Sequence, residues 1–247
     1  MSTSNVNVNI QYFSDAYLDK ADKVFLHPSP KYLWNEIISG TLVRSQTGGT
    51  RKMFAVAQNT FRGFHRVNKA CPGAKEGFIN YFLSQHVTLI QELSSVNTID
   101  DLKKLSNNLC EGIRTNLSNC SSTQLKAYNK VRKPVDLYIE HLVAMAVELD
   151  KVRARLVPLL FLPIDSQILA YQGIFTDHEL NDNSLSRGST YRDVTSERAY
   201  LALQALLSQK AMAISEARHR PFHCIYFDLI WNERHKNWGG NLFETNP

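Results

Sequence analysis

The sequence predicts an α+β fold, predominantly helical, with helices packed around a small sheet of about three strands. Two observations carry this. Apolar residues recur at helical spacing through most of the chain, as in Val135, Ile139, Leu142, Ala146 and Leu149, at offsets of 0, 4, 7, 11 and 14. Three short stretches, residues 5–13, 158–164 and 222–231, instead have the alternation or continuous apolar character of strands.

In chain order, Val6, Val8, Ile10 and Tyr12 alternate with polar residues, the period of a half-buried strand. Residues 30–38 read as a short helix with Pro30 in its first turn. The adjacent Gly48 and Gly49 mark a loop, and a helix is expected over residues 51–69, ended by Pro72-Gly73. A further helix is expected over residues 74–93. Thr98, Asp100 and Asp101 form a helix start, because Thr98 can cap free amides and the acids suit the positive end of the helix dipole. That helix should stop in the polar cluster of residues 116–122. The longest helical pattern follows, with Pro134 expected to kink or divide it at Lys133. Residues 158–164 suit a buried strand limited by its prolines. Residues 176–192 are polar and read as a mobile surface loop. Thr195 opens another helix, ended by Pro221, and residues 222–231 look like a central strand. No repeat or linker divides residues 1–247, which read as one domain.

Bulk properties narrow the function classes. With 43% hydrophobic and 21% charged residues, the 247-residue chain is neither disordered nor membrane-spanning. Its N-terminus has no basic region followed by an apolar one, so a cytoplasmic protein is expected. In that setting Cys71, Cys110, Cys120 and Cys224 are expected to be reduced, and no C-x-x-C pair or zinc spacing is present. The Asn116 and Asn119 glycosylation patterns carry no weight there. A net charge of +5 leans toward polyanions.

No Walker loop, dinucleotide fingerprint, H-E-x-x-H or G-x-S-x-G occurs. Gly48-Gly49 followed by Arg51 and Lys52 ahead of a helix would suit a phosphate at the free amides, although the glycine spacing matches no known cradle. Lys126, Lys130 and Lys133, at offsets of 0, 4 and 7, share a helix face with Arg132 beside them, and such a stripe can follow a nucleic-acid backbone. Asp136 and Glu140 would cancel part of that field.

Asp165 directly follows one of the strand-like stretches and Asp228 sits in another, with Glu233 and Lys236 close behind. Carboxylates on neighbouring strands can hold Mg²⁺ or Mn²⁺ for phosphodiester cleavage, with Lys236 near the attacked phosphate. The separation of Glu233 and Lys236 is one residue longer than the usual nuclease spacing. Arg218 and His223 have a spacing found in helical ribonucleases, but Pro221 between them argues for a helix end. Tyr226, Trp231 and Trp238 beside Arg234, His235 and Lys236 suit either nucleotide stacking or packing of the tail. Three readings follow. The first is a basic, helix-rich binding module for nucleic acid or a partner subunit of a nucleic-acid-acting complex, needing no cofactor. The second is a metal-dependent nuclease using Asp165, Asp228, Glu233 and Lys236. The third is a structural scaffold.

Overall fold

A computed structural model describes residues 8–29, 31–34, 37, 43–44, 51–52, 71–120 and 125–233; at residues 43–44, 51–52, 75, 86 and 231–233 only the backbone is described. The described chain is 66% helix. The main helices are α1 (Asp15–Phe25), α2 (Ala74–Ser84), α3 (His86–Ser95), α4 (Ile99–Asn116), α5 (Tyr128–Met145) and α9 (Glu197–Arg218). The short helices α6 (Arg153–Leu156), α7 (Ser166–Ala170) and α8 (Asp177–Asp182) and the 3₁₀ segments Val147–Leu149, Val157–Leu159 and Cys224–Glu233 connect them.

The centre is α5. Fifteen of its 18 residues are buried, so it is covered on every side. Around it, α4 buries Leu102, Leu105, Ser106, Leu109, Cys110 and Ile113, a single stripe at helical spacing. Helix α9 does the same with Tyr200, Leu203, Gln204, Leu207, Lys210, Ala211 and Ile214. The start of α4 is a reciprocal cap. Thr98 Oγ1 accepts the Asp101 amide at 3.2 Å, and Asp101 Oδ2 accepts the Thr98 amide at 2.9 Å. Hydrogen bonds from the Asn97 amide first, and from the Thr98 side chain and amide after it, hold the Asp101 carboxyl below its usual range. Ser196 caps α9 by accepting the Ala199 amide at 3.2 Å.

Among the described residues the three-stranded sheet is not formed. Among the described residues, backbone pairing is limited to the two-residue ladder of β1 (Val43–Arg44) with β2 (Arg51–Lys52) and a single bridge between Tyr32 and Ala146. Residues 10–13 turn, with amides bonded two or three residues back, as in Phe13 to Ile10 at 3.2 Å, and the Asn9 amide donates to the Gly173 carbonyl at 3.4 Å; residues 5–7 lie outside the described residues. Residues 222–231 form mostly 3₁₀ turns. Ile225, Tyr226, Phe227, Asp228, Leu229 and Ile230 are all buried, so no face alternation exists to define a strand. A short apolar run has the same periodicity signature in either conformation.

Residues 160–165 are buried without a neighbouring strand, and the reason lies in two side-chain amides. Gln204 accepts the Leu162 amide at 3.2 Å and donates to the Leu162 carbonyl at 2.7 Å, occupying the place of a strand partner. Asn129 donates to the Ile164 carbonyl at 2.9 Å. Gln204→Leu strands both Leu162 groups in the core and is expected to cost about 2 kcal/mol or more in urea unfolding. An unchanged midpoint would mean water satisfies them instead.

Other expectations shift locally. Helix α5 runs unbroken through Pro134. It ends at Met145, where Ala146 turns extended, so the stripe through Leu149 is not one helix. The expected helix over residues 74–93 is divided at Gln85. Arg51 and Lys52 lie in a strand rather than at a helix start, and residues 45–50 and 53–70 lie outside the described residues. Residues 176–192 contain α8, which carries its own capping box of Thr176 with Glu179. Arg187 ties the rest of that stretch down through Asp177 and the carbonyls of Tyr171 and Phe175. The cysteines also differ from expectation, since Cys71 is bonded to Cys120 while Cys110 and Cys224 are free thiols.

Candidate functional site

Helix α5 carries two sets of polar residues with opposite fates. Asn129, Arg132, Asp136 and Glu140, at offsets of 0, 3, 7 and 11, form a polar stripe that is 0–3% exposed. Arg132 Nε donates to Asp136 Oδ1 at 2.7 Å, and Tyr200 donates to Asp136 Oδ2 at 2.6 Å. Arg132 Nη1 and the Tyr128 hydroxyl both donate to Asn107 Oδ1 at 3.0 Å. The guanidinium also lies 4.6 Å from the Phe161 ring centre and 5.0 Å from that of Tyr200. Burial pushes the Asp136 carboxyl up to about 6, against the pull of Arg132 and Tyr200. Arg132, Asp136, Tyr200, Tyr128 and Asn107 are thus joined in one hydrogen-bonded network inside the fold, which specifies packing rather than meeting a substrate.

Arg132 therefore does not stand on a surface with the lysines. Its spacing to Asp136 was legible as an ion pair, but the pair is in the core. The lysines lie nearer the surface. Lys126 is exposed and precedes α5, while Lys130 and Lys133 are half-buried on its first two turns. Lys133 Nζ lies 3.2 Å from Asp165 Oδ2 and 5.3 Å from the Tyr191 ring centre.

A neighbour absent from the sequence reading completes this surface. The Tyr128 and Asn129 amides at the start of α5 donate to the carbonyls of Thr195 and Val194 at 3.0 and 3.1 Å. Asn129 also donates to the Tyr191 carbonyl at 3.2 Å, and Asp193 accepts the Thr190 amide at 2.7 Å. Residues 190–195, which include Arg192, are thereby pinned to the helix start. Partial burial first, and the charge of Arg192 second, hold the Lys130 ammonium below the usual lysine range. Arg192 lay in the polar stretch read as a loop; its one sequence signal was the turn chemistry of Thr190 and Asp193.

The acids of the nuclease reading have structural engagements. Asp165 caps α7, accepting the Gln167 and Ile168 amides at 2.9 and 3.1 Å, and its other oxygen takes Lys133. Asp228 is buried, and its charge contributes, after burial and Tyr12, to raising the Tyr17 phenol. The Glu233 side chain and Lys236 lie outside the described residues. Among the described residues no group of three or more His, Cys, Asp or Glu is arranged to hold a metal ion. Arg218 donates to the Ile10 carbonyl at 2.7 Å, and His223 packs edge-on against Tyr226. Trp238 and residues 234–236 lie outside the described residues.

An open groove of about 410 Å³ between α3 and α4 is lined by Glu92, Asp101, Lys104 and Asn108, of mixed charge. No described helix is long and apolar enough to cross a membrane. Comparison with family models, with curated proteins and with solved structures finds no match.

Proposed function

We propose that the chain is a binding module for a nucleic-acid backbone, and that the surface at the start of α5, formed by Lys126, Lys130, Lys133 and Arg192, receives it. The observation that carries this reading is that residues 190–195, which bear Arg192, are held against the start of α5 by three hydrogen bonds, on the helix turns that carry Lys130 and Lys133. Lysine and arginine side chains that neutralise backbone phosphates release condensed counterions, which drives such binding. Tyr191, against Lys133, supplies an aromatic edge to the same surface. The chain's net charge of +5 acts in the same direction at longer range. The nuclease reading is weaker, because both Asp165 oxygens already serve the fold. The scaffold reading asks for a broad exposed apolar face. The exposed large apolar residues among those described, Leu33, Leu83, Val87, Ile99, Val147 and Met212, are spread over six segments.

Fluorescence anisotropy with labelled single-stranded and duplex oligonucleotides tests the reading. Binding on the order of micromolar at low salt is expected, falling steeply as salt rises. No detectable binding to either oligonucleotide at low salt would end it.

A further inference from the structure

The bond between Cys71 and Cys120 closes the open end of the α2 and α4 pair, with Cα atoms 5.4 Å apart. Packing that involves no sulfur sets this register. Gly77 of α2 lies against Leu117, and Gly112 of α4 lies against Tyr81, so the two helices run antiparallel. Neither site has room for a side chain. A Cβ on Gly112 would stand 2.0 Å from the Tyr81 hydroxyl oxygen, and one on Gly77 would stand 2.7 Å from a Leu117 methyl. Continuing the same register outward, past the start of α2 and the end of α4, brings residues 71 and 120 opposite each other. Their sequence separation of 49 spans α2, α3 and α4 entirely.

The other two thiols are unsuited to exchange. Burial pushes the Cys110 thiol up to about 12 and the Cys224 thiol up to about 11. Such thiols keep their protons at neutral pH, and the thiolate is the form that attacks a disulfide.

We propose that Cys71 and Cys120 form a reversible dithiol–disulfide couple that clasps α2–α4 into one unit, so that the stability of the fold follows the thiol redox state around it. Closure is an exchange with a low-molecular-weight disulfide such as oxidised glutathione. One cysteine thiolate attacks the partner disulfide, forming a mixed disulfide and releasing one partner thiolate. The second cysteine attacks the mixed disulfide at its protein sulfur, forming the Cys71–Cys120 bond and releasing the second partner thiolate. The two cysteines give up two electrons, which reduce the partner's two sulfurs, and their two protons go with them. Opening by a dithiol is the reverse. The bond restricts the unfolded chain, and the restriction grows with the length of loop it closes.

The test uses the full chain, treated with oxidised glutathione, denatured without reductant and alkylated with iodoacetamide. Mass spectrometry is expected to find two adducts, on Cys110 and Cys224, and four after dithiothreitol. Dithiothreitol is expected to lower the Tm of the native chain by roughly 10 °C. Replacing it with oxidised glutathione should restore the Tm. Cys71→Ser and Cys120→Ser should begin at the lowered Tm and no longer respond, while Cys110→Ser should keep the full response. If a serine variant does not fold, the native chain with and without dithiothreitol still decides. Four adducts after glutathione treatment, an unchanged Tm on reduction, or a Tm that fails to recover on re-oxidation would each overturn the proposal.

Discussion

Asp136→Ala is expected to destabilise the protein by about 3–5 kcal/mol, the range for breaking a buried ion pair from one side. The loss leaves the Arg132 guanidinium, 0% exposed, without its carboxylate. Arginine cannot shed its proton to escape. Arg132→Met should cost less, because the orphaned Asp136 can take up a proton and become neutral. The double variant Arg132→Met with Asp136→Leu should recover much of the loss, giving a coupling energy in a double-mutant cycle. Costs that simply add would show that the two groups do not interact.

The pair also fixes a pH dependence. The folded-state value of Asp136, about 6, lies above the unfolded value of about 3.9. Folding therefore favours the protonated carboxyl. That contribution is fully present below about pH 4 and is lost as pH rises to about 6. Relative to Asp136→Asn, which does not titrate, the native chain should lose stability across that window. A stability difference flat from pH 4 to pH 7 would contradict the buried placement.

Leu142→Ala is the second large effect, expected at about 2–5 kcal/mol in urea unfolding. Leu142 is 0% exposed on a helix buried on every side, with Tyr138, Ile139, Val143 and Met145 equally enclosed. The neighbours are fixed by their own packing and cannot fully collapse into the space. A loss below about half a kcal/mol would place this face in solvent.

The helices were legible where their signals are local. Thr98 and Asp101 cap the helix they announce, and the stripe of α4 faces the core as its spacing requires. The strands were misread because a short apolar run says that a segment is buried, not what satisfies its backbone. Gln204 and Asn129 answer the backbone of residues 160–165 from distant helices, and no local pattern reports that. Depth was hidden in the same way. Arg132 and Asp136 have the spacing of a surface ion pair, and only the packing of Phe161 and Tyr200 over them puts the pair inside. The lysine spacing is written in the chain, but the packing of residues 190–195 against the start of α5 is a tertiary contact that no local pattern reports. The disulfide depends on two glycine contacts between helices, which fix a register that cysteine spacing does not encode.

The most direct measurement of the proposed function is the salt dependence of oligonucleotide affinity for the native chain and for the variant Lys126→Gln, Lys130→Gln, Arg192→Gln. Each phosphate contact contributes about 0.9 to the log–log slope on duplex DNA. The variant, with an unchanged Tm, is expected to bind more weakly and to lose roughly two to three units of slope. An identical slope and affinity in the two proteins would mean that the surface at the start of α5 does not receive the nucleic acid.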